Sequence, residues 1–245
     1  SDKDEMRRLL SLEQIDANLV TLKSQMANLL DFSEGRALML NNADWLRALN
    51  FLDFLRDIDR RFSVNRMLAA EGYRRRYDSG GGLNFLEFNY MLLQAYDFLH
   101  VYREYDCVLQ AGGNDQWGNI LAGVDLIRRV EGVQAYAITY PLVTTSSGAK
   151  MGKTAKGAIW LDPELLSPYE YYQFWINTAD ADVERFLAIF TFLPMERVRE
   201  LGRLTGAETR QAKEVLALEA TQILHGEEAA LEAQATSRKL FGGGG

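Results

Sequence analysis

The chain has 245 residues, 47% of them apolar, and a formal net charge of −7. That length and apolar content fit one large or two modest domains around a sizeable core, and they exclude a disordered chain. A single cysteine, Cys107, and two histidines, His100 and His225, exclude a disulfide framework and a multi-Cys or His-rich zinc site.

The charged opening, Ser1-Asp2-Lys3-Asp4-Glu5, is unlike a secretory leader, so a cytoplasmic enzyme is the default expectation. A helix is predicted over residues 6–32. There Leu12, Ile15, Leu19 and Leu22 recur at helical spacing, and Ser11 with Gln14 forms a capping-box pattern. Residues 37–40 are a short apolar run expected to be a strand, Asn41-Asn42-Ala43-Asp44 punctuates, and residues 45–60 return to helical spacing. Arginines crowd residues 56–78, with Arg60, Arg61, Arg66, Arg74, Arg75 and Arg76, until Gly80-Gly81-Gly82 breaks the run. A long, largely apolar helix is predicted over residues 85–101. Residues 107–110 read as a buried strand, Gly112-Gly113 as its turn, and Asn114 or Asp115 as the cap of a helix running to about residue 130. Residues 135–143, rich in β-branched and aromatic side chains, are a second strand. Strand, helix and strand in that order predict a parallel βαβ unit with nucleotide-binding potential. A polar loop over 144–156 follows. Beyond Pro163, helices are predicted over 169–177, 182–192 and 213–225. No apolar run reaches the roughly 18 residues of a membrane span. The acidic balance argues against a general nucleic-acid coat, although a local basic strip could still meet RNA.

Three groups of residues carry chemistry. Tyr90, Gln94 and Asp97 fall on one stripe of the 85–101 helix, a phenol, an amide and a carboxylate on a rod covered elsewhere by Phe88, Met91, Leu92, Leu93 and Leu99. Such a stripe faces either a cavity with polar partners or solvent, and spacing alone leaves both open. Gly112-Gly113-Asn114-Asp115-Gln116 joins a strand to a helix. Paired glycines allow close ligand approach, and a carboxylate at the mouth of a parallel sheet suits a ribose diol; a tight turn with a helix cap explains the same residues. Lys150-Met151-Gly152-Lys153-Thr154 puts two lysines and a hydroxyl on a Gly-containing loop, which suits phosphate or is a solvated basic loop. It is not a Walker A site: the position five residues before Gly152 is Ser147, and a strand-like Ala158-Ile159-Trp160 follows where that motif needs a helix.

Taken together and in this order, the three groups resemble the bacterial tyrosyl-tRNA synthetases, class I aminoacyl-tRNA synthetases. The resemblance extends to Asn41-Asn42-Ala43-Asp44-Trp45, Phe54-Leu55-Arg56-Asp57 and Ser167-Pro168-Tyr169-Glu170. It implies an α/β fold: part of a Rossmann-like nucleotide-binding domain over residues 1–165, then an α-helical domain over 166–241 and a flexible glycine tail over 242–245. Within the first domain it implies a dimer-forming insertion at about 40–85 and a signature loop at 144–156. The implied activity joins L-tyrosine to ATP as tyrosyl-adenylate and passes the tyrosyl group to tRNA-Tyr. By resemblance, Tyr90 and Gln94 hold the substrate ammonium, Asp97 accepts from its phenol, and Gln116 meets its carboxylate end. Gly113 and Asp115 bind ribose, and backbone near Leu142 and Val143 meets adenine. Lys150, Lys153 and Thr154 match the loop that meets pyrophosphate in the transition state, with Lys153 also on ATP. Mg2+ is implied with ATP. A homodimer is implied, with residues 45–85 and 88 as candidates for the interface, and Arg128 and Arg129 are candidates for tRNA backbone contact.

One departure stands out. Class I enzymes carry a His-x-Gly-His signature on an early strand–helix turn, and this sequence has none. The chain is therefore expected to be an internal part of such an enzyme, lacking that ATP signature and a C-terminal RNA-binding domain, and inactive in isolation. Two other readings remain at this stage: an RNA-binding or structural paralogue that has lost catalysis, and a tryptophanyl-type synthetase.

Overall fold

In the computed structural model, residues 10–69, 73–74, 84–149, 151, 153–154 and 157–241 are described. The Gly80–Gly82 break and the 242–245 tail lie outside them. The fold is mixed α/β and mostly helical. Contacts divide the chain into two compact units, one of residues 40–143 and one combining residues 1–39 with 144–245.

The 40–143 unit opens on two short helices, α2 (Ala43–Leu46) and α3 (Phe51–Asp57), then a 3₁₀ turn at Asp59–Arg61 and α4 (Val64–Ala69). The single helix predicted over 45–60 is thus broken. Asn50 takes extended backbone angles and its side-chain oxygen accepts from the N–H groups of Leu52 and Asp53, starting a new helix there. The long helix α5 (Phe85–Tyr105) begins at Asn84, which exchanges capping bonds with Glu87, and it extends the predicted element at its C-terminal end. Strand β1 (Leu109–Gly113), a 3₁₀ turn at Asn114–Gln116, helix α6 (Trp117–Glu131) and strand β2 (Tyr136–Tyr140) make the expected βαβ unit. The strands are parallel, with Leu109 opposite Tyr136 and Gly113 opposite Tyr140.

Helices α5 and α6 pack closely against each other. Phe98, Leu99, Leu126 and Ile127 are buried between them with Ala95, Ala135 and Ile58. A Cβ at Gly123 would stand 2.9 Å from the Phe98 ring, so glycine is what lets the two helices come this near. A smaller core of Met67, Met91 and Leu92 lies under α4.

In the other unit, α1 (Leu12–Met26) carries the predicted Ser11–Gln14 capping box and ends six residues before the predicted 6–32 helix does; residues 6–9 of that prediction lie outside the described residues. Residues 37–40 are not a strand: neither described sheet includes them, and an apolar run without a ladder partner stays irregular. Strands β3 (Lys153–Thr154) and β4 (Gly157–Ala158) form a small antiparallel pair. Helices α7 (Pro168–Ile176), α8 (Val183–Phe190), α9 (Met195–Gly202), α10 (Thr209–His225) and α11 (Glu227–Phe241) follow. Sequence reading did not resolve α9 and α11. The core holds Tyr172, Trp175, Phe186, Leu187, Leu201 and Leu216. Buried alanines at 217, 220, 230 and 233 let α10 and α11 lie close.

Candidate active site

The residues predicted to bind an amino acid and a nucleoside fall on α5, at the end of β1, on the 3₁₀ turn that follows it and just after β2, all within the 40–143 unit. Tyr90, Gln94 and Asp97 lie on successive turns of α5. Their surroundings differ. Asp97 has both carboxylate oxygens occupied: the Trp45 indole N–H donates to Oδ1 at 2.8 Å and the Asn42 amide donates to Oδ2 at 3.0 Å. The Trp45 ring also stacks on His100, with centroids 4.3 Å apart. Asn42 and Trp45 therefore fix the orientation of the carboxylate without using all its lone pairs. Gln94 accepts at Oε1 from the Asn119 amide, 3.1 Å away. Tyr90 stands out to solvent, 61% exposed.

The turn after β1 supplies the second group. Gln116 donates to Asp115 Oδ2 at 3.0 Å and accepts at Oε1 from the Asn119 amide at 3.3 Å. Asn119 thus joins Gln94 on α5 to Gln116 and, through it, to Asp115. Gly113 sits against this turn: a Cβ there would meet Asp115 Oδ1 at 2.6 Å and Leu142 Cδ2 at 3.0 Å. Gly113, Asp115 and Leu142 are in mutual proximity for that reason, with Val143 next along the chain. Only a residue without a side chain leaves the carboxylate where it is.

Asn42, Trp45 and Asn119 were not predicted as site residues. Asn42 and Trp45 are 55 and 52 residues from Asp97 in sequence, beyond the reach of any helical-spacing argument. A signal was present for Asn119, one helical turn after Gln116.

Of the phosphate-loop residues, Lys150 and Gly152 lie outside the described residues; Lys153 and Thr154 form the backbone of β3, opposite Ala158 and Gly157. The segment leading to them is anchored. Asp182, 2% exposed, accepts from the Ser146 N–H at 2.9 Å, the Ser146 hydroxyl at 3.0 Å and the Arg185 guanidinium at 2.9 Å. Arg185 also donates to the Thr144 carbonyl. Arg128 and Arg129 both pair with Asp125, at 2.8 and 2.9 Å, and Arg129 and Arg61 each donate to the other's carbonyl.

A family model described as class I tRNA synthetases (W and Y) matches residues 1–242. The tyrosine–tRNA ligase of Caldanaerobacter subterraneus subsp. tengcongensis is 60% identical over 245 residues, covering 100% of this chain and 60% of that protein. The tyrosine–tRNA ligase of Syntrophus aciditrophicus is 60% identical over 242 residues, covering 99% of this chain and 56% of that protein. The chain thus spans under two thirds of the length of these relatives. Among solved structures, a C-terminally truncated mitochondrial tyrosyl-tRNA synthetase from Aspergillus nidulans superposes with a TM-score of 0.78 at 29% identity. The match covers 96% of this chain and 71% of that one.

Proposed function

The chain belongs to the class I tRNA synthetases of the tryptophan and tyrosine type, and from that premise we propose that it is part of a tyrosine–tRNA ligase. The observation that carries the reading is the arrangement of polar groups in one unit. An acceptor carboxylate, Asp97, is held by two donors on the middle turns of α5. A chain of amides from Gln94 through Asn119 and Gln116 leads to the Asp115 carboxylate beside Gly113.

L-tyrosine would lie along α5. Its phenol donates to Asp97, its ammonium meets Gln94 and Tyr90, and its carboxylate end meets Gln116. ATP places its ribose on Asp115 against Gly113 and its adenine by the backbone at Leu142 and Val143. The apolar side chains that face outward on the parallel pair, Leu109, Tyr136, Ile138 and Tyr140, support a place for these strands in a larger nucleotide-binding sheet.

The chemistry needs no protein nucleophile or base. A tyrosine carboxylate oxygen attacks the α-phosphorus, the bond to the β-phosphate oxygen breaks, and pyrophosphate leaves. A ribose hydroxyl at the tRNA-Tyr terminus then displaces AMP from the adenylate. The side chains act by positioning and by meeting charge that moves onto pyrophosphate, the role assigned to Lys150, Lys153 and Thr154. Mg2+ would neutralise charge on the phosphates. Among the described residues, no group of three or more His, Cys, Asp or Glu side chains could hold a metal ion, so Mg2+ is proposed to arrive on ATP itself. We extend the reading to a homodimer in the cytoplasm. No helix among the described residues is long and apolar enough to cross a membrane.

The test is ATP–pyrophosphate exchange by the full-length gene product. Exchange is expected with tyrosine and not with tryptophan or phenylalanine. Exchange driven by tryptophan in preference to tyrosine would refute the assignment.

A further inference from the structure

We propose that Asn119 is a positioning residue that fixes the polarity of two substrate-facing amides at once. The inference deepens the reading above and rests on it. A carboxamide can present either its oxygen or its NH2 group, and which one it presents depends on its partners. The Asn119 Nδ2 group has two N–H donors, and its geometry spends them on two oxygens: Gln94 Oε1 at 3.1 Å and Gln116 Oε1 at 3.3 Å. The first lies 25 residues away on α5, the second 3 residues away at the N-cap of α6.

The consequences differ for the two glutamines, and both suit an α-amino acid. An ammonium has donors only. Gln94 can receive it through the second lone pair of Oε1, provided that its NH2 group is not turned toward the ligand. A flipped Gln94 would set donors against donors. A carboxylate has acceptors only. With Gln116 Oε1 turned to Asn119 and one Nε2 hydrogen on Asp115 at 3.0 Å, the other Nε2 hydrogen is left for an anionic oxygen. One side chain therefore keeps an acceptor facing the ammonium and a donor facing the carboxylate. It also links the amino-acid end of the site to Asp115. The crossing of α5 and α6 at Gly123, one helical turn further along α6, brings the two helices near enough for one short side chain to span them.

Two variants of the full-length enzyme test this. Asn119→Ala removes the amide. Asn119→Asp keeps its size and shape and supplies no donor. Tyrosine KM, ATP KM and kcat are read from pyrophosphate exchange, and the inhibition constants of tyramine and of 3-(4-hydroxyphenyl)propionate are measured beside them. Melting temperature serves as the control for folding. Both variants are expected to raise the tyrosine KM about 10-fold, the loss of one well-placed hydrogen-bond network. ATP KM is expected to stay within about 2-fold of wild type, well below that loss. Inhibition by both analogues should weaken, tyramine through the loss of the fixed Gln94 acceptor and the amine-free acid through the loss of the fixed Gln116 donor. Wild-type parameters in both variants would overturn the proposal. So would an Asn119→Asp enzyme equal to wild type beside a damaged Asn119→Ala enzyme, because shape alone would then suffice. A common fall in tyrosine binding, ATP binding and melting temperature would make Asn119 a structural residue and equally overturn it. If the wild-type enzyme shows no tyrosine-dependent exchange, the functional reading itself fails, and this proposal with it.

Discussion

At the scale of single residues, Asp97 shows what helical spacing can and cannot reveal. Its place on a polar stripe with Gln94 follows from periodicity. The clamp that orients it does not, because Asn42 and Trp45 reach it through tertiary folding from a separate short helix and its cap. Nor does periodicity separate Asp97, with both oxygens bonded, from Tyr90, which points to solvent. The clamp also sets an expectation. A site that hydrogen-bonds a substrate hydroxyl rejects the analogue lacking it by about 10⁴- to 10⁵-fold, a magnitude characteristic of tyrosine-selective synthetases, so the proposed phenol contact should favour tyrosine over phenylalanine on that order. Asp97→Ala in the full-length enzyme is expected to remove that preference, measured as the ratio of kcat/KM for the two amino acids in pyrophosphate exchange. Trp45→Phe leaves the carboxylate in place and removes one of its two donors, so it should erode the ratio only partly. An unchanged ratio in Asp97→Ala would take the phenol contact away from this residue.

At the scale of elements, most long ones were legible, whereas the 15-residue α11 and the short ones were not. Helix α5 follows from its apolar coverage and the Asn84 cap, and the βαβ unit follows from two strand-like runs separated by a helical one. The break between α2 and α3 was hidden because apolar periodicity continues through it; one Asn50 side chain capping two N–H groups decides the matter. The run at 37–40 has the composition of a strand and no partner, and partners are not encoded locally.

Helix α10 carries a further consequence. It ends at His225, whose ring meets Tyr171 of α7 edge-on with centroids 5.3 Å apart, and whose Nε2 has no hydrogen-bond partner among the described residues. Burial disfavours the charged ring and lowers its pKa from the ordinary 6.5. The unfolded chain therefore takes up the proton first as pH falls. The contribution of His225 is fully present above about pH 6.5, where the ring is neutral in both states, and it declines as pH drops below that value. Melting temperatures from pH 8 to pH 5 should fall with a slope that His225→Gln reduces. Equal slopes in the two proteins would show that burial of this ring does not govern the acid side.

At the scale of the whole molecule, the composition and the two strands with their helix were enough to establish an α/β chain with a helical C-terminal part, while a surface that awaits a partner was indicated only by resemblance, over residues 45–85 and 88, and not by composition or periodicity. The 40–143 unit exposes Phe85, Leu86, Val64 and Trp117, and a cavity of about 420 Å³ lined by Phe62, Met67, Met91, Trp117 and Leu121 opens beside α4 and α6. In sequence these positions look like ordinary core residues. An apolar surface of this kind on a compact unit points to an interaction site, and a second copy of the same face is the simplest closed solution. A stable pair would bury roughly 800 Å² on each partner. The full-length protein is therefore expected to sediment as a dimer at micromolar concentration. Leu121→Glu would place a charge in the apolar cavity without touching the residues assigned to tyrosine or ATP. Losing the burial of one leucine side chain is worth about 1.5–3 kcal/mol, so the dimer should weaken by about 10- to 100-fold. A wild-type protein that sediments as a monomer would refute the self-pairing of this face, and a Leu121→Glu protein that still sediments as a fully formed dimer would move the interface elsewhere.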